Sequence, residues 1–188
     1  NRNRPFILTS SPSMDILISS NLERLIYLST GCDSAKTAQL MEDLRTKGVY
    51  EVSDDMRQFM ADFVAGFAEE PEVFQTIRDL KEEAGYVLDP HTAVASAVYK
   101  QYAEKTGDTR KTVIASTASP YKFAPNVMKA LGIDVEDQDV FAVIDQLSEI
   151  SGVPEPRAIR EVRNAAIRHS EVCETSEMKK MVEDFLFV

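Results

Sequence analysis

Thr112-Val113-Ile114-Ala115-Ser116 breaks the helical spacing that the other apolar residues of this chain keep, and its reading decides the fold. The run is β-branched, too short for a helix and too apolar for an edge strand. It reads as a strand buried on both faces, the type found in parallel sheets. Such a strand needs neighbours on both edges, because its backbone N–H and C=O groups must be paired. Candidates are few: residues 6–10 (Phe6-Ile7-Leu8-Thr9-Ser10), 48–52, and a short edge at Ile133-Asp134-Val135. The expected class is therefore α/β: mostly helical, about eight helices around a small, partly parallel sheet. The helices outnumber the sheet they should cover, so either the sheet is very small or its other strands lie on a missing N-terminal part.

Outward from that run, helix signals dominate. Ser11-Pro12 looks like a start, with Ser11 as cap and Pro12 at the first helical position. Ser20-Asn21-Leu22-Glu23 has capping-box spacing and predicts a helix over 20–29, ending near Gly31. Two starts so close imply a break around Ser19, where ligands often bind and where a plain turn would look the same. Met56, Phe59, Met60, Phe63, Val64 and Phe67 recur at helical spacing behind Ser53 and Asp54-Asp55, which reads as a core stripe. Pro71 opens a helix that Gly85 stops, and Asp89-Pro90 opens one that Gly107 stops. Ser119-Pro120 and Pro125 lead a helix closed by Gly132. Further helices are expected at about 138–150, 155–168 and 176–187.

Composition bounds the function. The chain is 44% hydrophobic and 28% charged, enough apolar material for a core. Its net charge of −10 repels phosphate backbones and argues against nucleic acid as a partner. The acidity serves solubility. No apolar run approaches the ~20 residues of a membrane span, and no signal peptide is visible. Cys32 and Cys173 are the two cysteines; they have no metal spacing and read as free thiols of a reducing cytoplasm. The chain begins at Asn1 rather than Met, which suggests a processed or cut chain.

Two places could carry chemistry. In open α/β sheets ligands bind beyond the C-terminal ends of the strands. Strand 112–116 would end in Ser116-Thr117-Ala118-Ser119-Pro120, a cluster of hydroxyls at a strand-to-helix turn with Lys122 beyond it. That geometry suits a polar heteroatom or an anion, and it also describes a plain capped turn. The second place is Asp89-Pro90-His91-Thr92, which puts one of only two histidines in the first turn of a helix. No Ser/His/Asp order, metal cluster or glycine-rich phosphate loop is present.

Three segments, in order, resemble the threonine synthase family. Asn3 through Arg24 carries Ser11-Pro12-Ser13-Met14-Asp15-Ile16 and Ser19-Ser20-Asn21-Leu22-Glu23-Arg24. Tyr86 through Ala95 carries Asp89-Pro90-His91-Thr92-Ala93-Val94. Ser116 through Phe123 carries Ser116-Thr117-Ala118-Ser119-Pro120-Tyr121-Lys122-Phe123. Two positions depart from the family: Ser119 stands where it has His, and Tyr121 where it has Ala.

The resemblance implies the C-terminal part of a fold type II pyridoxal-phosphate enzyme, a carbon–oxygen lyase that converts O-phospho-L-homoserine and water to L-threonine and phosphate. The Schiff-base lysine and the glycine-rich phosphate loop would lie outside this chain, so no catalytic residue, no cofactor binding and no activity are expected of the chain alone. By the same resemblance Thr117, with Ser116 beside it, faces the pyridine nitrogen, and Ser13, Asp15, Asn21, His91 and Lys122 approach the substrate. A hydroxyl partner does not hold the ring nitrogen protonated, so the ring is a weaker electron sink. Residues 1–135 are expected to belong to the cofactor-binding region and 136–188 to form a helical tail. Missing neighbours would expose apolar surface and favour self-association. A non-catalytic acidic helical module descended from such an enzyme is the alternative.

Overall fold

The computed structural model describes residues 1–187 and is built from nine α-helices among them: α1 Ser20–Ser29, α2 Ser34–Lys47, α3 Asp54–Phe59, α4 Glu70–Ala84, α5 Pro90–Thr106, α6 Ala124–Ala130, α7 Val140–Ser151, α8 Arg157–Arg163 and α9 Met178–Leu186. Short 3-10 turns occupy Pro12–Met14, Pro120–Phe123 and Thr175–Glu177. The chain divides into two compact units, Asn1–Pro154 and Glu155–Val188.

In the first unit, α4 packs on α5 and α6, and α6 packs on α7. Their apolar faces meet at Val73 and Ile77 of α4, Ala93 and Ala97 of α5, Val127 and Met128 of α6, and Val143, Ile144 and Leu147 of α7, all buried. Alanines on α5 and at Ala124 and Ala130 let these helices approach closely. Two cations of α4 finish the job at helix ends. Arg78 donates to Ala130 O at 2.6 Å and Lys81 to Ile150 O at 2.7 Å, where terminal carbonyls lack intrahelical partners and the helix dipole favours positive charge. A smaller cluster joins α1 to α2 and α3 through Ile26, Leu44 and Met56. In the second unit, α8 and α9 carry no buried residue; Arg163 holds Glu155 at 2.8 Å.

The sheet is the main correction. Among the described residues there is no strand. Residues 112–116 run as irregular chain, Val113 is 94% exposed, and the segment has no cross-strand ladder. Residues 6–10, 48–52 and 133–135 are not strands either. Phe6, Ile7 and Leu8 are exposed. A β-branched run supplies the side chains a strand wants, but a strand exists only when a second one pairs with it.

The stripe of residues 56–67 is corrected as well. The helix α3 stops at Phe59; Met56 is buried, but Phe59, Phe63, Val64 and Phe67 are more than half exposed. The chain beyond runs close over α5. Gln101 of α5 donates to Phe67 O at 3.1 Å, and a Cβ built on Gly66 would lie 2.7 Å from Val98 Cγ1. Valine at χ1 is stiff and cannot swing aside cheaply. Gly66→Ala is therefore expected to destabilise the unit by about 1–3 kcal/mol, read as a lower urea midpoint at unchanged slope. An unchanged midpoint would show that the loop can lift from α5.

Smaller differences have local causes. The helix α2, bounded by the Asp33 cap and by Gly48 at φ 77°, was not apparent from apolar spacing because its surface is largely polar. The cap of α1 is Ser19 without a side-chain bond, so Ser20 does not form the expected capping box. Ser11 and Ser53 also precede their helices without a side-chain cap bond. The expected helix 155–168 is confined to Arg157–Arg163, with no apolar face buried to extend it.

Candidate functional site

The site grows from the N-terminus of α5. Asp89 is its cap, 1% exposed, and Pro90 occupies the first turn, where a missing N–H costs nothing. One carboxylate oxygen, Oδ1, accepts from His91 N at 2.9 Å and Thr92 N at 3.3 Å. The other, Oδ2, accepts the Thr92 hydroxyl in a short bond. Thr92 Oγ1 in turn lies 3.0 Å from Ser116 Oγ. A hydroxyl has one proton. Thr92 spends its proton on Asp89, so Ser116 must donate to Thr92.

Ser116 is thereby committed, whereas its neighbour Thr117 is not. The Thr117 side chain is exposed and makes no hydrogen bond to another described residue. Its hydroxyl is open to solvent. The segment that presents it is anchored at both ends. Upstream, Asp108 accepts from Tyr102 Oη at 2.8 Å and from Arg110 N at 3.0 Å, and pairs with the Arg110 guanidinium. Downstream, Ser119 caps the Pro120–Phe123 turn by accepting from Tyr121 N at 3.3 Å. Tyr121 is buried, and its hydroxyl donates to Val153 O beyond the end of α7. Both departures from the family pattern therefore have structural work here: Ser119 as a cap, and Tyr121 as a tie to α7.

The upstream anchor is open to a pH test. The Arg110 guanidinium, with help from the Arg110 N–H and the Tyr102 hydroxyl, holds the Asp108 carboxyl well below the usual carboxylate range. A depressed folded pKa means that the bond stabilises above the unfolded value of about 3.9 and is lost as pH falls through the folded value. Side-chain NMR titration is expected to place the Asp108 midpoint below that of free aspartate. Arg110→Ala is expected to raise it; a midpoint unmoved by that change would mean the ion pair does not form.

The N-terminal segment meets the same place. Ser13 N donates to His91 Nε2 at 3.2 Å, and the His91 ring lies 4.7 Å from that of Phe123. The stretches 11–15, 89–92 and 116–123, far apart in sequence, thus converge on His91. Asp15 shapes its own turn: its carboxylate accepts from Thr9 N at 2.8 Å and from the Thr9 hydroxyl at 2.7 Å. Lys122 is exposed, with Nζ 5.4 Å from the Phe123 ring centroid. Asn21, on α1, is exposed and accepts from Arg24 at 2.9 Å; among the described residues no hydrogen bond joins its side chain to the His91 cluster. Sequence reasoning missed Glu70, at the start of α4, which accepts from both the N–H and the hydroxyl of buried Ser10. Its only signal was an acidic residue in the first helical turn. Both cysteines are free thiols. No helix of the described residues is long and apolar enough to cross a membrane.

Known proteins resemble this chain in sequence and in fold. The family model "Threonine synthase, C-terminal" matches residues 92–172. The chain is 38% identical over 133 residues to threonine synthase-like 1 of Homo sapiens, covering 70% of this chain and 18% of that protein. It is 36% identical over 139 residues to the threonine synthase of Saccharomyces cerevisiae, covering 65% of this chain and 27% of that protein. The crystal structure of threonine synthase from yeast superposes with a TM-score of 0.76 at 26% identity, over 98% of this chain and 38% of that one. That of PLP-bound threonine synthase from Brucella melitensis gives 0.63 at 31% identity, over 79% and 35%. The chain thus spans well under half the length of these relatives. By sequence and by fold the chain is a threonine synthase-like C-terminal portion.

Proposed function

We propose that this chain is the C-terminal portion of an enzyme that converts O-phospho-L-homoserine and water to L-threonine and phosphate with pyridoxal phosphate. The observation that carries the reading is the uncommitted hydroxyl of Thr117 beside the committed hydroxyl of Ser116. A free O–H donor fits the ring nitrogen of the cofactor, which is an acceptor when unprotonated. When bound, pyridoxal phosphate supplies the electron-withdrawing ring that stabilises negative charge on the substrate.

The chain's own residues bind and orient. Thr117 would donate to the ring nitrogen. Ser116, fixed through Thr92 to Asp89, holds the turn that presents it. The exposed ammonium of Lys122 suits the substrate's phosphate, and the exposed Ser13 hydroxyl is a donor for the same group. Asp15, clasped by Thr9, sets the shape of the Ser13 turn. Residues 1–135 would form the cofactor-facing region and the remainder the tail. Exposed Phe63, Val64 and Phe67 favour association of the isolated chain with itself at high concentration.

The test is expression of the gene with whatever coding sequence lies in frame 5′ of Asn1, assayed for phosphate release from O-phospho-L-homoserine. The longer product is expected to release phosphate and to take up pyridoxal phosphate, and residues 1–188 alone to do neither. A longer product that binds no cofactor and leaves the substrate intact would overturn this reading and favour a non-catalytic acidic helical module.

A further inference from the structure

His91 is buried, with 7% of its surface exposed, and both ring nitrogens face the chain itself. Nε2 is an acceptor, because its neighbour at 3.2 Å is the Ser13 N–H, which can only donate. A protonated Nε2 would set two donors against each other. In a neutral imidazole the proton must then sit on Nδ1, 3.4 Å from Asp89 Oδ1. At that separation Nδ1 forms no proper hydrogen bond, yet the nearest charge is a carboxylate, which favours an N–H there. The His91 backbone N–H does bond Asp89 Oδ1, at 2.9 Å, and from Asp89 the connection continues through Thr92 to Ser116.

We propose that His91 is a positioning residue, held as the neutral Nδ1–H tautomer, that ties the Ser13 turn to the turn bearing Ser116 and Thr117. Its part in presenting Thr117 to a cofactor rests on the reading above; the tautomer and the tie to Ser13 do not. An alternative role is packing, since the ring also lies against Phe123.

The two roles make opposite demands on a substitution. Glutamine can place an amide oxygen near the position of Nε2 and accept from Ser13, but it lacks the ring. Phenylalanine keeps the ring and cannot accept. With the full 188-residue chain, hydrogen exchange at the Ser13 amide is expected to stay near wild type in His91→Gln. In His91→Phe it is expected to speed by about three- to tenfold, the effect of one lost hydrogen bond. The reverse order would establish packing and overturn the proposal. Should both variants fold poorly, ring-nitrogen NMR on the unmodified chain decides alone. A proton on Nδ1 and none on Nε2 supports the proposal, and a proton on Nε2 overturns it. Neither readout involves cofactor or turnover, so failure here is distinguishable from failure of the enzymatic reading.

Discussion

On the proposed function, Thr117→Val is expected to lower turnover or cofactor affinity of the longer protein by about ten- to a hundredfold, while leaving the stability of this chain nearly untouched. The substitution keeps the side chain's shape and removes only the hydroxyl. In a dry pocket the ring nitrogen would then lack a partner, at a cost of about 1–3 kcal/mol. On that reading part of the cost would fall on the transition state, because charge on the ring would change during reaction. The second half of the expectation comes from the exposed position of Thr117. A surface side chain without partners in its own chain contributes within about 0.5 kcal/mol to folding. Cofactor titration by absorbance and thermal melting of the 188-residue chain check the two halves. A clear drop in melting temperature with unchanged cofactor binding would make Thr117 a mere support of its turn.

Asp89→Ala is expected to cost the first unit about 2–4 kcal/mol. The carboxylate caps two N–H groups of α5 and accepts the Thr92 hydroxyl while almost fully buried. Loss of a cap alone is worth up to about 2 kcal/mol. Uncapped N–H groups in a buried site add a further ~1–3 kcal/mol for each polar group that finds no other partner. Asp89→Asn keeps an oxygen for the cap, and the Thr92 hydroxyl can rotate to accept from the amide, so its loss should be about 1 kcal/mol. Urea unfolding of both variants tests this. Equal losses in the two would mean that charge, not capping geometry, is what the site needs.

The candidate site was legible wherever its chemistry is local. Asp89-Pro90 announces a capped helix because a short acidic side chain followed by Pro can start one in almost any surroundings, and the cap is there. The hydroxyl cluster at 116–119 was likewise visible as a turn. What could not be read is which hydroxyl is free. That depends on Thr92 reaching Ser116, 24 positions away, and no spacing rule links them. The same holds for His91 and Ser13, 78 positions apart.

By itself the sequence determined the helices that carry their own boundaries: α4, α5 and α7 end at Gly85, Gly107 and Gly152, where positive φ suits glycine. It also carried the resemblance to threonine synthases, through three motifs in order. Only the tertiary structure decided that 112–116 is not a strand and that Phe63, Val64 and Phe67 are not core. The physical reason is common to both. Helix caps and turns are satisfied by atoms a few residues away, whereas strand pairing and burial are relations between distant parts of a molecule. A run of Val and Ile or a stripe of Phe states what a segment would favour, and the presence or absence of a covering neighbour settles what it becomes.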